Sequence, residues 1–307
     1  MKKESKICSG VLLMAAVLTM PAVGQYQQQQ PPPPQQPPPT TFGAPTNQPS
    51  PEEVDAYTKI ATSRNPDERL VMVQDFLTKY PESQLKGRVF ASAAEAYRMQ
   101  NKHAQVIEYG EKAIEDSQGR DAFTMLIVAD SLAESALPIH SDYKEKLAKA
   151  EEHARRALEV LPELFASMQR RPEVPEEEYA RQQRRVEGLG HAILGNVHFR
   201  RQEHAKAVEE LTKAIETDGY KPDAVDFQRL GFAHMRQQQL KEAEAAFLRC
   251  IQQAEEAKPS AAADVKVTTS EGTERARVEV QDPMTADCEK RLEQVRARLA
   301  GQEKPQP

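Results

Sequence analysis

Residues 190 to 219 and 226 to 255 fall into register when the chain is shifted by 36 positions, and no other feature restricts the fold as much. In the first stretch Leu194-Gly195-x-x-His198 is followed by Ala207-Val208, Leu211 and Lys213-Ala214-Ile215. In the second, Leu230-Gly231-x-x-His234 precedes Ala243, Phe247 and Arg249-Cys250-Ile251. A third copy fits at residues 86 to 118, where Phe90, Ala93-Ala94-x-x-Tyr97, Val106-Ile107, Tyr109 and Lys112-Ala113-Ile114 keep the spacing without the glycine. Apolar positions recur with a helical period from residue 52 to about 257, so the body is expected to be all-α. Two antiparallel helices joined by a tight turn approach closely only where small residues face each other. That reasoning pairs Gly195 with Ala207 and Gly231 with Ala243, and places Ala94, Tyr97, Ala113, Ala214 and Cys250 in the same packing columns.

These columns resemble the tetratricopeptide repeat family, whose signature runs aromatic, Leu-Gly, aromatic, then Ala, aromatic and Pro over about 34 residues. His198 and His234 stand where the family has an aromatic after Gly, Cys250 replaces the final Ala, and Gly219 replaces the terminal Pro of one copy. The resemblance implies a right-handed α-solenoid of about five helix pairs at 52–81, 86–118, 121–162, 190–219 and 226–257, with an insertion at 163–186. The third of these pairs carries Leu126, Ala129 and Leu132, an enlarged turn around Pro138 to Lys146, then Ala150, Ala157 and Pro162. The first pair is short, with Asn65 placed to cap a helix that starts at Pro66. The insertion is expected to contain an N-terminal extension of the next helix, starting after Pro175. The family also implies that the first helix of each pair lines a concave side. Residues of those helices outside the packing columns then form a protein-binding groove: Asn196, Phe199, Arg200, Gln228, Phe232, Met235 and Arg236.

The two ends of the chain differ from this body. Residues 1–24 have a basic start at Lys2, Lys3 and Lys6, an apolar stretch from Val11 to Met20 and small residues at Ala22-Val23-Gly24, the pattern of a signal peptide cleaved near Gly24-Gln25. The apolar stretch stops at Pro21, short of the roughly 20 residues that span a bilayer, so export to the periplasm or beyond is preferred over an uncleaved anchor. Residues 25–51 hold 18 Pro or Gln in 27 positions and no charge, which reads as a disordered linker. Beyond the repeats, the polar segment 258–284 contains Val265 and Val267 before Glu271-Gly272 and Val278 and Val280 after it, a β-hairpin pattern. Residues 285–300 return to a helical period with Leu292, Val295 and Leu299 on one face, expected to cover the last repeat, and 301–307 form a tail.

The chemistry in the chain is sparse. Forty-one basic against 47 acidic residues give a net charge of -6, which supplies no footprint for nucleic acid and no polybasic block for stable membrane attachment. Of the three cysteines, Cys8 lies in the signal peptide. Cys250 and Cys288 either bridge, as an exported compartment permits, or sit as small buried thiols, which is the preferred reading. His191 and His198 share a helix face and His198 and His234 share a column, but no carboxylate-flanked pair or HExxH motif accompanies them, so they are assigned to packing and no metal is expected. Nucleophile elbow, P-loop and dinucleotide fingerprint are all missing from the sequence, so neither an enzyme nor a cofactor is expected. What is left is a surface. The sequence points to a non-catalytic scaffold of the cell envelope that binds protein or peptide partners in the groove, an acidic-apolar peptide fitting its Phe, Met and Arg residues. A glycan or lipid carrier using the same groove is the alternative.

Overall fold

The computed structural model describes residues 48–257, 264–269, 272–277 and 282–302. The expected signal peptide and nearly all of the linker lie outside the described residues, as do Val278, Val280 and residues 303–307. The described helices are α1 (Pro51–Thr62), α2 (Pro66–Lys79), α3 (Lys86–Met99), α4 (His103–Asp116), α5 (Ala122–Ser135), α6 (Tyr143–Ser167), α7 (Glu176–Arg200), α8 (His204–Glu216), α9 (Ala224–Arg236), α10 (Leu240–Glu256) and α11 (Pro283–Gln302).

Helix starts are set locally. At α1, Ser50 Oγ accepts from the Glu53 amide and the Glu53 carboxylate accepts from the Ser50 amide, with Pro51 in the first turn. Asn65 caps α2 by accepting from the Asp67 amide at 3.0 Å. The turns that close three of the pairs are copies of one another. Asn101, Gln202 and Gln238 each adopt a positive φ, 55°, 61° and 63°. The next residue in each case, Lys102, Glu203 and Gln239, donates its amide to the carbonyl of Tyr97, His198 or His234.

Each helix packs on the next, and each odd-numbered helix also touches the next odd-numbered one, from α1 through α11. No two even-numbered helices bring their backbones that close among the described residues, although Lys149 and His153 of α6 reach Glu111 of α4 at 2.7 and 3.0 Å. The odd-numbered helices are therefore the closer-spaced layer. This is a helical-repeat body compatible with tetratricopeptide-like pairs.

Packing departs from the sequence reading at the glycines. A Cβ on Gly195 would lie 2.6 Å from Cγ of Leu211, and one on Gly231 would lie 2.8 Å from the ring of Phe247. The space at each glycine is thus filled by a large residue one turn beyond the expected Ala207 or Ala243. Both alanines are nonetheless buried, as are Ala94, Ala113, Ala214 and Cys250, while Tyr97 is half-buried and its ring lies 5.3 Å from that of Tyr109.

The third pair also runs differently. α6 does not end at Pro162 but continues to Ser167, and α7 starts directly after Pro175, so the insertion is the overhang of two 25-residue helices around a short loop. An interior proline costs a helix about 3 kcal/mol. Here Leu161 and Phe165 flank it on the buried face, and the Tyr179 hydroxyl donates to the carbonyls of Phe165, at 2.8 Å, and Met168, at 3.1 Å, which ties the overhangs together.

Two corrections concern the C-terminal part. The expected fold, a solenoid carrying a hairpin as an ordered feature, is corrected: among the described residues the folded body is all helix, with no strand packed into it. The short strands β1 (Asp264–Thr269) and β2 (Gly272–Arg277) pair antiparallel with each other and touch none of the described helices. Their register puts Gly272 opposite Thr269, inside the ladder rather than in the turn, and pairs Val265 with Ala276 and Val267 with Glu274 instead of with the later valines. The preferred reading of two separate thiols is also overturned, because Cys250 and Cys288 form a disulfide with their Cα atoms 6.4 Å apart. It joins α10 to α11, whose Leu292 and Val295 are buried in one cluster with Phe227, Leu240 and Phe247.

Candidate functional site

The seven expected groove residues lie on α7 and α9, and the structure divides them into three groups. Asn196 and Arg200 are not free. The Asn196 amide donates to Glu134 Oε1 of α5 at 2.9 Å, and Arg200 donates to Glu134 Oε2 at 2.7 Å, to Asn196 Oδ1 at 3.0 Å and to the Ala136 carbonyl at 3.2 Å. Arg229 of α9 completes the set, 2.6 Å from Glu134. One carboxylate thus clips three successive odd-numbered helices. Burial alone would raise the Glu134 pKa, but the charges of Arg229 and Arg200 outweigh it and hold the group below the usual carboxylate range.

Gln228, Phe232 and Met235 are engaged by α11. Gln228 donates to Asp287 at 2.9 Å, the Arg291 guanidinium lies 4.7 Å from the Phe232 ring centre, and Met235 packs against the Cys250–Cys288 cluster. The α11 helix therefore takes the position that the first helix of a sixth pair would occupy. Phe199, half-buried, and Arg236, exposed and without a hydrogen bond or ion pair among the described residues, are not engaged by α11 and border a cleft together with Phe232.

Two clefts of about 400 Å³ each open on this layer. One lies at the C-terminal ends of α7 and α9, against the α5–α6 loop, and is lined by Pro138, Tyr143, Phe199, His204, Phe232 and Arg236 among others. Phe199 and Phe232 stand 6.2 Å apart there. The other lies nearer the helix middles, where Asp130, Glu134, Asp223 and Asp226 surround Arg229 beside Leu189, Ile193 and Val225. Burial, reinforced by the charge of Glu134, raises the Asp130 pKa; burial and Asp223 do the same to Asp226, whose carboxylate accepts from the Tyr220 hydroxyl at 2.7 Å.

The three histidines assigned to packing, His191, His198 and His234, each make a side-chain hydrogen bond. His198 Nδ1 is 2.7 Å from Glu203, and His234 Nδ1 is 2.7 Å from Gln239, so the family's aromatic column is used here to fasten each turn by its side chain. His191 Nδ1 lies 2.7 Å from Glu210 on α8. Among the described residues no group of three or more His, Cys, Asp or Glu is arranged to hold a metal. For Glu210, burial pushes the pKa up, but hydrogen bonds from His191 and Lys213 prevail and bring it down to about 2. A depressed carboxylate pKa contributes stability that is fully present above the unfolded value near 4.5 and is lost as pH falls toward 2. Glu210→Gln is accordingly expected to lower stability at neutral pH by on the order of 2 kcal/mol, with the two proteins converging near pH 2 in urea titrations across that range. A constant difference at all pH values would show that Glu210 is not the titrating group.

Arg229, Glu134, Asp287 and Arg291 were not foreseen from the sequence, since their contacts join residues 59 to 95 positions apart. The chain matches no protein-family model and none of the curated proteins with which it was compared. Among the described residues no helix is long and apolar enough to cross a membrane.

Proposed function

We propose that this chain is an exported, non-catalytic scaffold of the cell envelope whose repeats are of the tetratricopeptide kind and which binds partner polypeptides along its odd-numbered helices. The observation that carries this reading is the arrangement of those helices. They lie side by side as one layer, with two clefts opening on it and with Leu189, about two-fifths exposed, lining one of them. The basic-apolar-small pattern of residues 1–24 supports export.

The reading is tested by capture from an envelope extract, comparing the wild-type chain with a Phe199→Ala, Arg236→Gln double variant. Arg236 is exposed and Phe199 borders an open cleft, so the variant is expected to keep its helical circular dichroism and to lose most of the partner recovered by the wild type. Undiminished recovery by a folded variant would refute binding at this face, and capture of glycan or lipid without any protein would favour the carrier instead.

A further inference from the structure

The two clefts on the odd-numbered layer carry opposite charge, and that difference identifies what the more apolar of them takes. No carboxylate is among the residues lining the cleft at Phe199 and Phe232. Of its two guanidinium groups, that of Arg200 is saturated by Glu134, Asn196 and the Ala136 carbonyl, whereas Arg236 has no acidic partner among the described residues. Nδ1 of His204, on the same wall, is buried without a protein hydrogen-bond partner. The loop that forms one side adds apolar surface, with Leu137 44% and Ile139 87% exposed on either side of Pro138. The neighbouring cleft has four carboxylates to one arginine and repels any anion that slides toward it.

The geometry points to an internal segment of a partner polypeptide in which an acidic residue stands next to an aromatic or leucine side chain. The apolar side chain enters between Phe199, Phe232, Pro138 and Tyr143, and its carboxylate meets the Arg236 guanidinium. A volume of about 400 Å³ accommodates one or two large side chains rather than a folded element. The open rim lets the chain run on at both ends, which suits an internal segment better than a terminus. This inference rests on the scaffold reading and adds to it the partner's chemistry.

The probe is a fluorescein-labelled, end-blocked octapeptide with Asp beside Phe and Leu in a Gly/Ser background, titrated with the full chain by fluorescence anisotropy, alongside versions bearing Asn or Lys for Asp. The Asp peptide is expected to bind about 10-fold more tightly than the Asn peptide, a typical worth for one charge-assisted contact. Arg236→Gln is expected to erase that preference, and Phe199→Ala to weaken all binding by about 10-fold. Leu248→Ala, an exposed position on α10, is expected to change nothing. Equal binding of Asp and Asn peptides, tighter binding of the Lys peptide, binding only when the C-terminal carboxylate is unblocked, or no binding up to about 1 mM would each overturn the inference. Partner capture that survives Arg236→Gln alone but is lost in the double variant leaves the scaffold reading standing while this inference falls.

Discussion

Gly231→Val is expected to cost about 3 kcal/mol of unfolding free energy, read by urea titration of helical circular dichroism. The glycine faces Phe247, which is fully buried, and a Cβ at that position would lie 2.8 Å from the ring. The ring cannot retreat easily, because Phe232 packs edge-on to it at 5.7 Å and the cystine closes the cluster behind it. Alanine at the same site has two opposing effects: about 1 kcal/mol gained from helix propensity against an overpacking cost of roughly 1–3 kcal/mol. The second wins if the ring is held, so Gly231→Ala should also destabilise. Combining it with Phe247→Ala should remove the penalty of the added methyl, although Phe247→Ala alone costs about 3–5 kcal/mol. A Gly231→Ala protein as stable as the wild type in urea would show that the ring yields and that the glycine is not needed for the close approach.

Removing the disulfide has a comparable effect by another route. The bridge closes a loop between residues 38 positions apart. In the chain-entropy account, opening a loop of that size lowers stability by about 3–4 kcal/mol. The Cys250→Ala, Cys288→Ala protein should lose it mostly from one element, because α11 is held otherwise by a short apolar stripe of Leu292, Val295 and Leu299, by Gln228–Asp287, and by Arg296 with Glu244 at 2.7 Å. Hydrogen exchange should accelerate first in α11 and then in the part of α9 it covers, around Phe232 and Met235, while α3 to α7 stay protected. Uniform loss of protection along the whole stack would instead mean that the bridge supports the array as a unit.

The fold was readable where information is local. The 36-residue offset placed the paired columns, Asn65 and Pro66 marked a helix start, and the stripe from Leu292 to Leu299 marked the helix over the last repeat. The depth of the glycine contacts was misread by one turn, because the sequence shows which positions are small but not which large side chain leans into them. The pair bounds at 121–162 fall short of the true end of α6, because the buried Leu161 and Phe165 outweigh the hydrogen bond that Pro162 removes. The groove was only partly legible for the same reason. Asn196 and Arg200 looked free on their own helix, but their partner Glu134 lies 62 and 66 residues away, and no spacing rule connects them. Gln228, Phe232 and Met235 looked open until α11 was placed over them.

The most direct test is site-specific photocrosslinking in the intact envelope, with a photoreactive side chain placed at exposed Gln202 or Arg236 on one side and at Leu248 on α10 on the other. A discrete polypeptide adduct at residues 202 and 236, absent at 248, is the result this account predicts. Adducts at 248 alone, or none from the odd-numbered face while the chain is folded and exported, would contradict it.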